Sequence, residues 1–332
     1  MALSRELGID LGTFNTQIAE GNKILIQEPT IVAIVVDEKK LVEYGTTALG
    51  MLGRVPDSIE VVRPLRNGVI AEYELTEIFV RELMRKVTGP TFFFKPKIII
   101  SVPYGITSVE RRAVQEAGLG AGSREVYIIP QPLAAAIGMD LPIKTPTGNM
   151  VISIGAGTTQ AAVISMSGIV SAETSPVAGL KLDEAIISTI RKKYGLIIGQ
   201  PTAEQLKLRI GSALPVEDEK TMEVQGQDQI SNLPRPVSLT TNEIVDALEQ
   251  PLEEIVNVIK RVLEKTPPEL ISDIIDRGVA LCGGSSLMKG LDKYLTVALG
   301  IPAYVVENPV TCTVEGAAKA FENLDTILRA QY

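Results

Sequence analysis

Ile9-Asp10-Leu11-Gly12-Thr13-Phe14-Asn15-Thr16 is the stretch on which the reading of the chain turns. An apolar lead-in, an acid, a glycine and a run of small hydroxyl or amide residues precede the alternating Gln17-Ile18-Ala19. The pattern predicts strand, tight turn, strand: a hairpin whose turn exposes main-chain N–H groups and hydroxyls. Consecutive N–H groups form an anion-binding nest, and glycine lets a phosphate approach the main chain. One such turn is weak evidence, since many Gly/Thr hairpins bind nothing.

The stretch has an echo. Ile152-Ser153-Ile154-Gly155-Ala156-Gly157-Thr158-Thr159-Gln160-Ala161-Ala162 repeats its layout, with Gly12 matching Gly155, Thr16 matching Thr159 and Gln17 matching Gln160. Asp10 falls opposite Ser153, a mismatch with consequences for chemistry. Two copies of one turn, each opening half of the chain, suggest two similar domains facing each other across a phosphate. The competing reading is chance likeness between two Gly/Thr hairpins.

Composition narrows the class. The 332 residues suffice for two domains with cores, and 45% hydrophobic with 22% charged residues is a globular balance. A net charge of −8 argues against general nucleic-acid binding. There is no histidine, which excludes Ser/His/Asp triads and histidine metal sites. Cys282 and Cys312 sit among apolar or small residues and read as reduced core thiols of a cytosolic protein. The start of the chain enters the first strand almost at once, so no signal peptide is expected. No apolar run reaches the ~18 residues of a membrane span.

Along the chain, 23–26 and 30–36 read as further strands of the first sheet. Polar turns from Asp37 to Arg66 suggest a small insertion. Leu75 to Val87 has helical apolar spacing, and Lys97 to Val102 reads as a buried parallel strand closed by Pro103. Thr107 and Glu110 are spaced as a capping box. Pro142 to Gly148 is the best linker candidate. The second half repeats the plan: hairpin, an insertion rich in helix and charge, then a long helix from Asn242 that Pro251 is expected to kink. Thr313 to Leu328 reads as a final helix.

Taken together, these residues resemble the actin/Hsp70/sugar-kinase ATPase superfamily and, within it, the MreB family of bacterial actins. The resemblance rests on Gly8 to Thr13, Pro64-Leu65 with Asn67 to Ala71, Val102-Pro103 with Gly105 to Thr107, and Pro146 to Met150. It continues through Asp183 to Ile187, Ile190 to Tyr194, Thr202 to Glu204, Asn308-Pro309 and Thr311-Cys312. The resemblance implies an α/β actin-like fold of two similar domains around a nucleotide cleft, each with an inserted subdomain. Residues 1–145 with 310–332 would form the first, with its insertion at about 32–66. Residues 146–309 would form the second, with its insertion at about 181–240.

It also implies ATP and Mg²⁺ as ligands, with Asp10 near the metal through water. Gly12, Thr13, Phe14, Asn15 and Thr16 would line the phosphates from one side, and Gly155, Ala156, Gly157, Thr158 and Thr159 from the other. Gly283, Gly284 and Ser285 would pass close to ribose and base. Glu204 and Lys207, one helical turn apart, correspond to family positions near the ribose or base; an ordinary exposed pair is the alternative.

Three positions depart from the family. The family usually has an acid at Ser153, and a serine adds no charge for hydrated Mg²⁺. It usually has glutamate at Gln131, and glutamine orients water without taking its proton. Eukaryotic actin resembles this chain there, however. Ala156 replaces a favoured glycine and crowds the phosphate side. With Gln131, Asp10 and Ser153 as the catalytic positions, slow or impaired hydrolysis is expected, against ordinary turnover with Asp10 and water filling in.

Phe92, Phe93 and Phe94 stand between Pro90 and Pro96, flanked by Arg85, Lys86, Lys95 and Lys97. An exposed Phe cluster ringed by cations suits the surface of an anionic bilayer, and the matching family loop dips into the membrane. A core strand starting at Phe92 is the alternative. The resulting expectation is a cytoplasmic protein peripheral on the inner face of the cytoplasmic membrane. It would self-assemble into filaments and work with cell-wall or shape-determining membrane proteins, without nucleic acid. The competing functions are a nucleotide-locked scaffold that does not polymerise and a small-molecule kinase of the same superfamily.

Overall fold

A computed structural model describes residues 5–89 and 95–330. Two five-stranded sheets organise it, and they share one topology. In the first, the strands run in the order Lys23–Pro29, Asn15–Glu20, Glu6–Leu11, Lys97–Val102, Glu125–Pro130. In the second the order is Gly168–Ser175, Thr159–Ser165, Asn149–Ile154, Val279–Cys282, Ala303–Val305. Each sheet begins with an antiparallel three-strand meander and continues with two parallel strands. The hairpin registers coincide: Leu11 pairs Thr16, and Ile154 pairs Thr159.

Strand alternation builds a layered core. In the strand Lys97–Val102, Ile98 and Ile100 join the apolar cluster of Leu7, Ile9, Phe79 and Leu83, while Ile99 points the other way. Its opposite face meets a cluster that draws on both sheets, with Ile129, Val151, Ala162 and Cys282. Between the sheets lie the helices Gln131–Gly138 and Cys312–Lys319, both small-residue helices. They cross tightly: a Cβ on Gly138 would collide with the carbonyl of Cys312, and one on Gly316 with that of Ala134. Cys282 and Cys312 are free and buried here. A hydrogen bond with Cys312, then burial, pushes the Cys282 thiol well above its ordinary range.

The structure corrects several expectations. The strand Val32–Val35 belongs to a separate small sheet with Lys40–Tyr44 and Ile59–Val62 rather than to the first sheet. The second insertion has the expected helices, Gly179–Tyr194 and Gln200–Ile210, but is not helix alone. It carries a three-stranded sheet in which Thr221–Asp228 pairs with Leu196–Ile197 and Pro234–Thr240. Pro234 and Pro236 conceal the last of these, and an edge strand tolerates them because its outer N–H groups need no partner. The long helix expected from Asn242 is present as Thr241–Glu264, with Pro251 inside it and a capping box of Thr240 and Glu243 at its start. The final helix is interrupted: Cys312–Lys319 gives way to a 3₁₀ turn at Ala320–Asn323 before Leu324–Ala330. The predicted capping box of Thr107 and Glu110 is present.

Candidate functional site

The two hairpin turns meet. A Cβ on Gly157 would collide with the Thr13 hydroxyl, so the second turn presses main chain against the first. The Thr13 hydroxyl also accepts from the N–H of Gly68 at 2.7 Å. Beside this contact lies a cavity of about 410 Å³. Its wall includes Asp10, Gly12, Thr13, Phe14 and Asn15 from the first half, and Ser153, Gly155, Ala156, Gly157 and Thr158 from the second. Gln131, Glu204, Lys207, Gly283, Gly284 and Ser285 line it as well. A cavity of this size, with polar groups converging from two walls, suits a ligand of nucleotide dimensions.

Thr16 and Thr159 do not line it. Both are fully buried, because strand alternation turns each to the face opposite its neighbours Asn15 and Gln160. Their hydroxyls are engaged elsewhere: Thr16 with Thr30 at 2.8 Å, Thr159 with the carbonyl of Val177 at 2.6 Å. They fix the turns rather than touch a ligand. Thr30 also donates to the Gly12 carbonyl at 2.7 Å, and Ser285 to the Gly155 carbonyl at 2.8 Å. Gly283 has φ +86°, and a Cβ there would strike the Ile154 carbonyl. Glycine is therefore required where the strand Val279–Cys282 turns into the cavity.

Glu204 and Lys207 are not an exposed pair. Lys207 binds Asp183 at 2.6 Å, with side chains only 11% and 2% exposed, and donates to the Gly179 carbonyl at 2.9 Å. Burial holds the Asp183 carboxyl above the usual carboxylate range despite that ammonium. Burial, then the charge of Asp183, does the same to Glu204. Arg63, which sequence reasoning missed, stacks its guanidinium 4.3 Å from the Phe14 ring centroid. It reaches the first turn from the small insertion. On its side of the Thr13–Gly157 contact a second cavity of about 800 Å³ opens between Glu60, Arg63 and Lys39 and the facing Lys181 and Glu184.

The floor carries a line of side-chain hydrogen bonds. Asp10 accepts from Ser101 at 2.5 Å and from Gln131 Nε2 at 3.0 Å. Gln131 Oε1 accepts in turn from Gln160 Nε2 at 2.5 Å, and Gln160 Oε1 accepts from the N–H of Tyr104 at 2.9 Å. A carboxylate at one end and a main-chain N–H at the other orient both amides. Burial pushes the Asp10 carboxyl up, and the Ser101 and Gln131 bonds oppose that shift. The residues fit a hydrated divalent ion held through phosphates, which asks for one or two carboxylates and water. Asp10 is such a group. No cluster of three or more His, Cys, Asp or Glu able to hold a metal directly exists among the described residues.

A model of the MreB/Mbl protein family matches residues 4–329. The chain belongs to the MreB/Mbl family. The cell shape-determining protein MreB of Escherichia coli K12 is 44% identical over 328 residues, covering 97% of this chain and 94% of the other. The crystal structure of MreB 5 of Spiroplasma citri bound to AMPPNP is 30% identical and superposes with a TM-score of 0.93 over 100% of both chains. A MamK double helical filament structure, at 20% identity and a TM-score of 0.82 over 96% of this chain and 99% of the other, shares the fold. The expected actin-like α/β fold is therefore present, with its two mixed sheets on either side of the cleft. Phe92, Phe93 and Phe94, the expected membrane loop of this MreB-type chain, lie outside the described residues. No helix among the described residues is long and apolar enough to cross a membrane.

Proposed function

We propose that the protein is an ATP-binding bacterial actin that assembles into filaments on the inner face of the cytoplasmic membrane and splits its nucleotide slowly. There, with cell-wall or shape-determining membrane proteins, it would organise cell shape or wall synthesis. The single observation behind the ATP reading is the meeting of two hairpins of identical register, Thr13 against Gly157, beside a nucleotide-sized cavity. Residues 1–145 with 310–332 act as one domain and 146–309 as the other, the small sheets near 32–66 and 181–240 being inserted. Thr13, Phe14 and Asn15 hold phosphates from one side, and Gly155 to Thr158 from the other. Glu204, Lys207 and Gly283 to Ser285 hold the ribose or base.

Mg²⁺, when bound, would supply charge neutralisation at the phosphates. Asp10 would hold its water, and Ser101 and Gln131 fix the Asp10 carboxylate. Gln131 orients water but takes no proton, and Ser153 adds no charge, so proton removal from an attacking water lacks a base. Nucleotide then acts chiefly as a conformational ligand, favouring the polymer through differential affinity for the closed cleft.

A nucleotide-locked scaffold that does not polymerise is the second reading, resting on the uncharged Ser153 in the cavity wall. The family of the chain gives a small-molecule kinase no support. Pelleting with ATP, ADP and no nucleotide, each with and without anionic liposomes, tests the reading. ATP-dependent pelleting supports the filament; nucleotide binding without pelleting supports the scaffold. Replacing Phe92, Phe93 and Phe94 by Ser should release the protein from liposomes and leave polymers intact. Unchanged lipid binding excludes that loop.

A further inference from the structure

Gln17 and Gln160 occupy matching places in the two hairpins. Gln17 pairs across the strands with Asp10, and Gln160 with Ser153. Their environments differ. Gln160 is engaged at both ends, with Gln131, Thr158 and Tyr104. Gln17 is 2% exposed, and neither its Nε2 nor its Oε1 has a hydrogen-bond partner among the described residues. Its residue lines the same cavity wall as Asp10, Gly12 and Asn15. Alternation along the strand Asn15–Glu20 places Asn15 and Gln17 on the cavity face and Thr16 and Ile18 on the other.

A buried carboxamide with both ends unpaired opposes folding, and an apolar side chain of equal size would avoid that cost. The nucleotide-free fold therefore gives no structural reason for an amide at this point. A ligand does. A carboxamide presents an N–H donor and a carbonyl acceptor side by side. A phosphate oxygen satisfies the first, and a hydrogen of a metal-bound water satisfies the second. We propose that Gln17 is a ligand-binding residue of the ATP site, donating through Nε2 to a phosphate oxygen and accepting through Oε1 from water on the metal. The assignment rests on the ATP reading above. Rotation about its side-chain bonds presents the amide to the cavity that the residue already lines.

The test uses the full chain as wild type, Gln17→Leu and Gln17→Glu, with equilibrium binding of ATP and ADP in Mg²⁺ and in EDTA, and thermal melting without nucleotide. Gln17→Leu should weaken MgATP and MgADP at least about tenfold, with a smaller loss in EDTA, while its nucleotide-free melting temperature holds or rises. Gln17→Glu, which sets a negative charge against the phosphates, should lose about a hundredfold. MgATP affinity of Gln17→Leu within twofold of wild type overturns the proposal. So does a fall in the melting temperature of both variants without nucleotide, which marks a structural amide. Failure of the wild type to bind MgATP overturns the ATP reading as well; unchanged binding by Gln17→Leu beside a binding wild type overturns this assignment alone.

Discussion

Gln160 on the second hairpin donates to the side-chain carbonyl of Gln131 on the helix Gln131–Gly138, so a hydrogen bond between two neutral amides crosses the floor of the cleft. Gln131 passes the link on to Asp10. Asp10 is the sole charged member of this line, and it is already engaged by Ser101 and Gln131. Gln131 and Gln160 hold geometry and offer no proton acceptor, and the one carboxylate of the line is held by two hydrogen bonds. On the proposed ATP reading, Ser153→Asp sets a carboxylate beside the phosphates and should raise phosphate release by about 10²-fold, the lower end of what a positioned acid–base group contributes. Phosphate release by the purified variant checks this, and a rate equal to wild type counts against a missing acid.

Asp10 also sets a pH dependence. Burial raises its pKa in the folded chain. Metal binding needs the ionised form, so Mg²⁺-dependent ATP affinity should begin to fall at a pH above the ordinary carboxylate range as acidity increases. Nucleotide-free stability moves the other way. A carboxyl whose folded pKa is raised favours the protonated state, so its unfavourable contribution at neutral pH is relieved as pH falls through that pKa. Wild type minus Asp10→Asn should show both trends, in titrations of affinity and of melting temperature. Ser101→Ala removes a bond that lowers the pKa and should move the affinity midpoint to higher pH.

Lys207 and Asp183 form an ion pair with little access to water. Removing one partner strands a buried charge, and Lys207→Ala should cost about 3–5 kcal/mol in denaturant unfolding. The double variant Lys207→Met with Asp183→Leu should recover most of that loss, because it removes both charges while keeping volume. Equal destabilisation of the single and double variants would rule the ion pair out as the cause.

Gly316 lets the helix Cys312–Lys319 approach the carbonyl of Ala134 on its partner helix. Gly316→Ala forces main chain apart at the junction of the two sheets and should cost about 3 kcal/mol, the upper end of typical overpacking. Chemical denaturation measures it. A change under 0.5 kcal/mol, the scale of an ordinary surface substitution at roughly that size, would show that the helices can separate freely.

The features legible in the sequence were local ones. Both hairpins announce themselves through glycine, hydroxyls and alternation within about ten residues, and the Thr107–Glu110 cap needs only four. Asp10, Gly12 to Asn15, Gly155 to Thr158 and Gly283 to Ser285 follow from those local signals and the family pattern, and all reach one cavity. What stayed hidden depends on distance in the chain. The Gln131–Gln160 bond spans 29 residues and the Asp10–Ser101 bond 91. Arg63 meets Phe14 from just beyond the strand Ile59–Val62 of another sheet. Thr16 and Thr159 face away from the cavity because the turns pair Asp10 with Gln17 and Ser153 with Gln160, a register that a simple count of alternation from Asp10 or Ser153 does not give. The edge strand at Pro234–Thr240 was concealed by its prolines, and the small sheet at Val32–Val35 by its resemblance to a continuation of the first.

The central claim is that two matched turns grip one triphosphate between them. A crystal structure of the chain grown with AMPPNP and Mg²⁺ tests it most directly. The account predicts the triphosphate between Thr13–Asn15 and Gly155–Thr158, with the metal's water shell at Asp10. An empty cleft under saturating nucleotide, or nucleotide bound away from both turns, would contradict it.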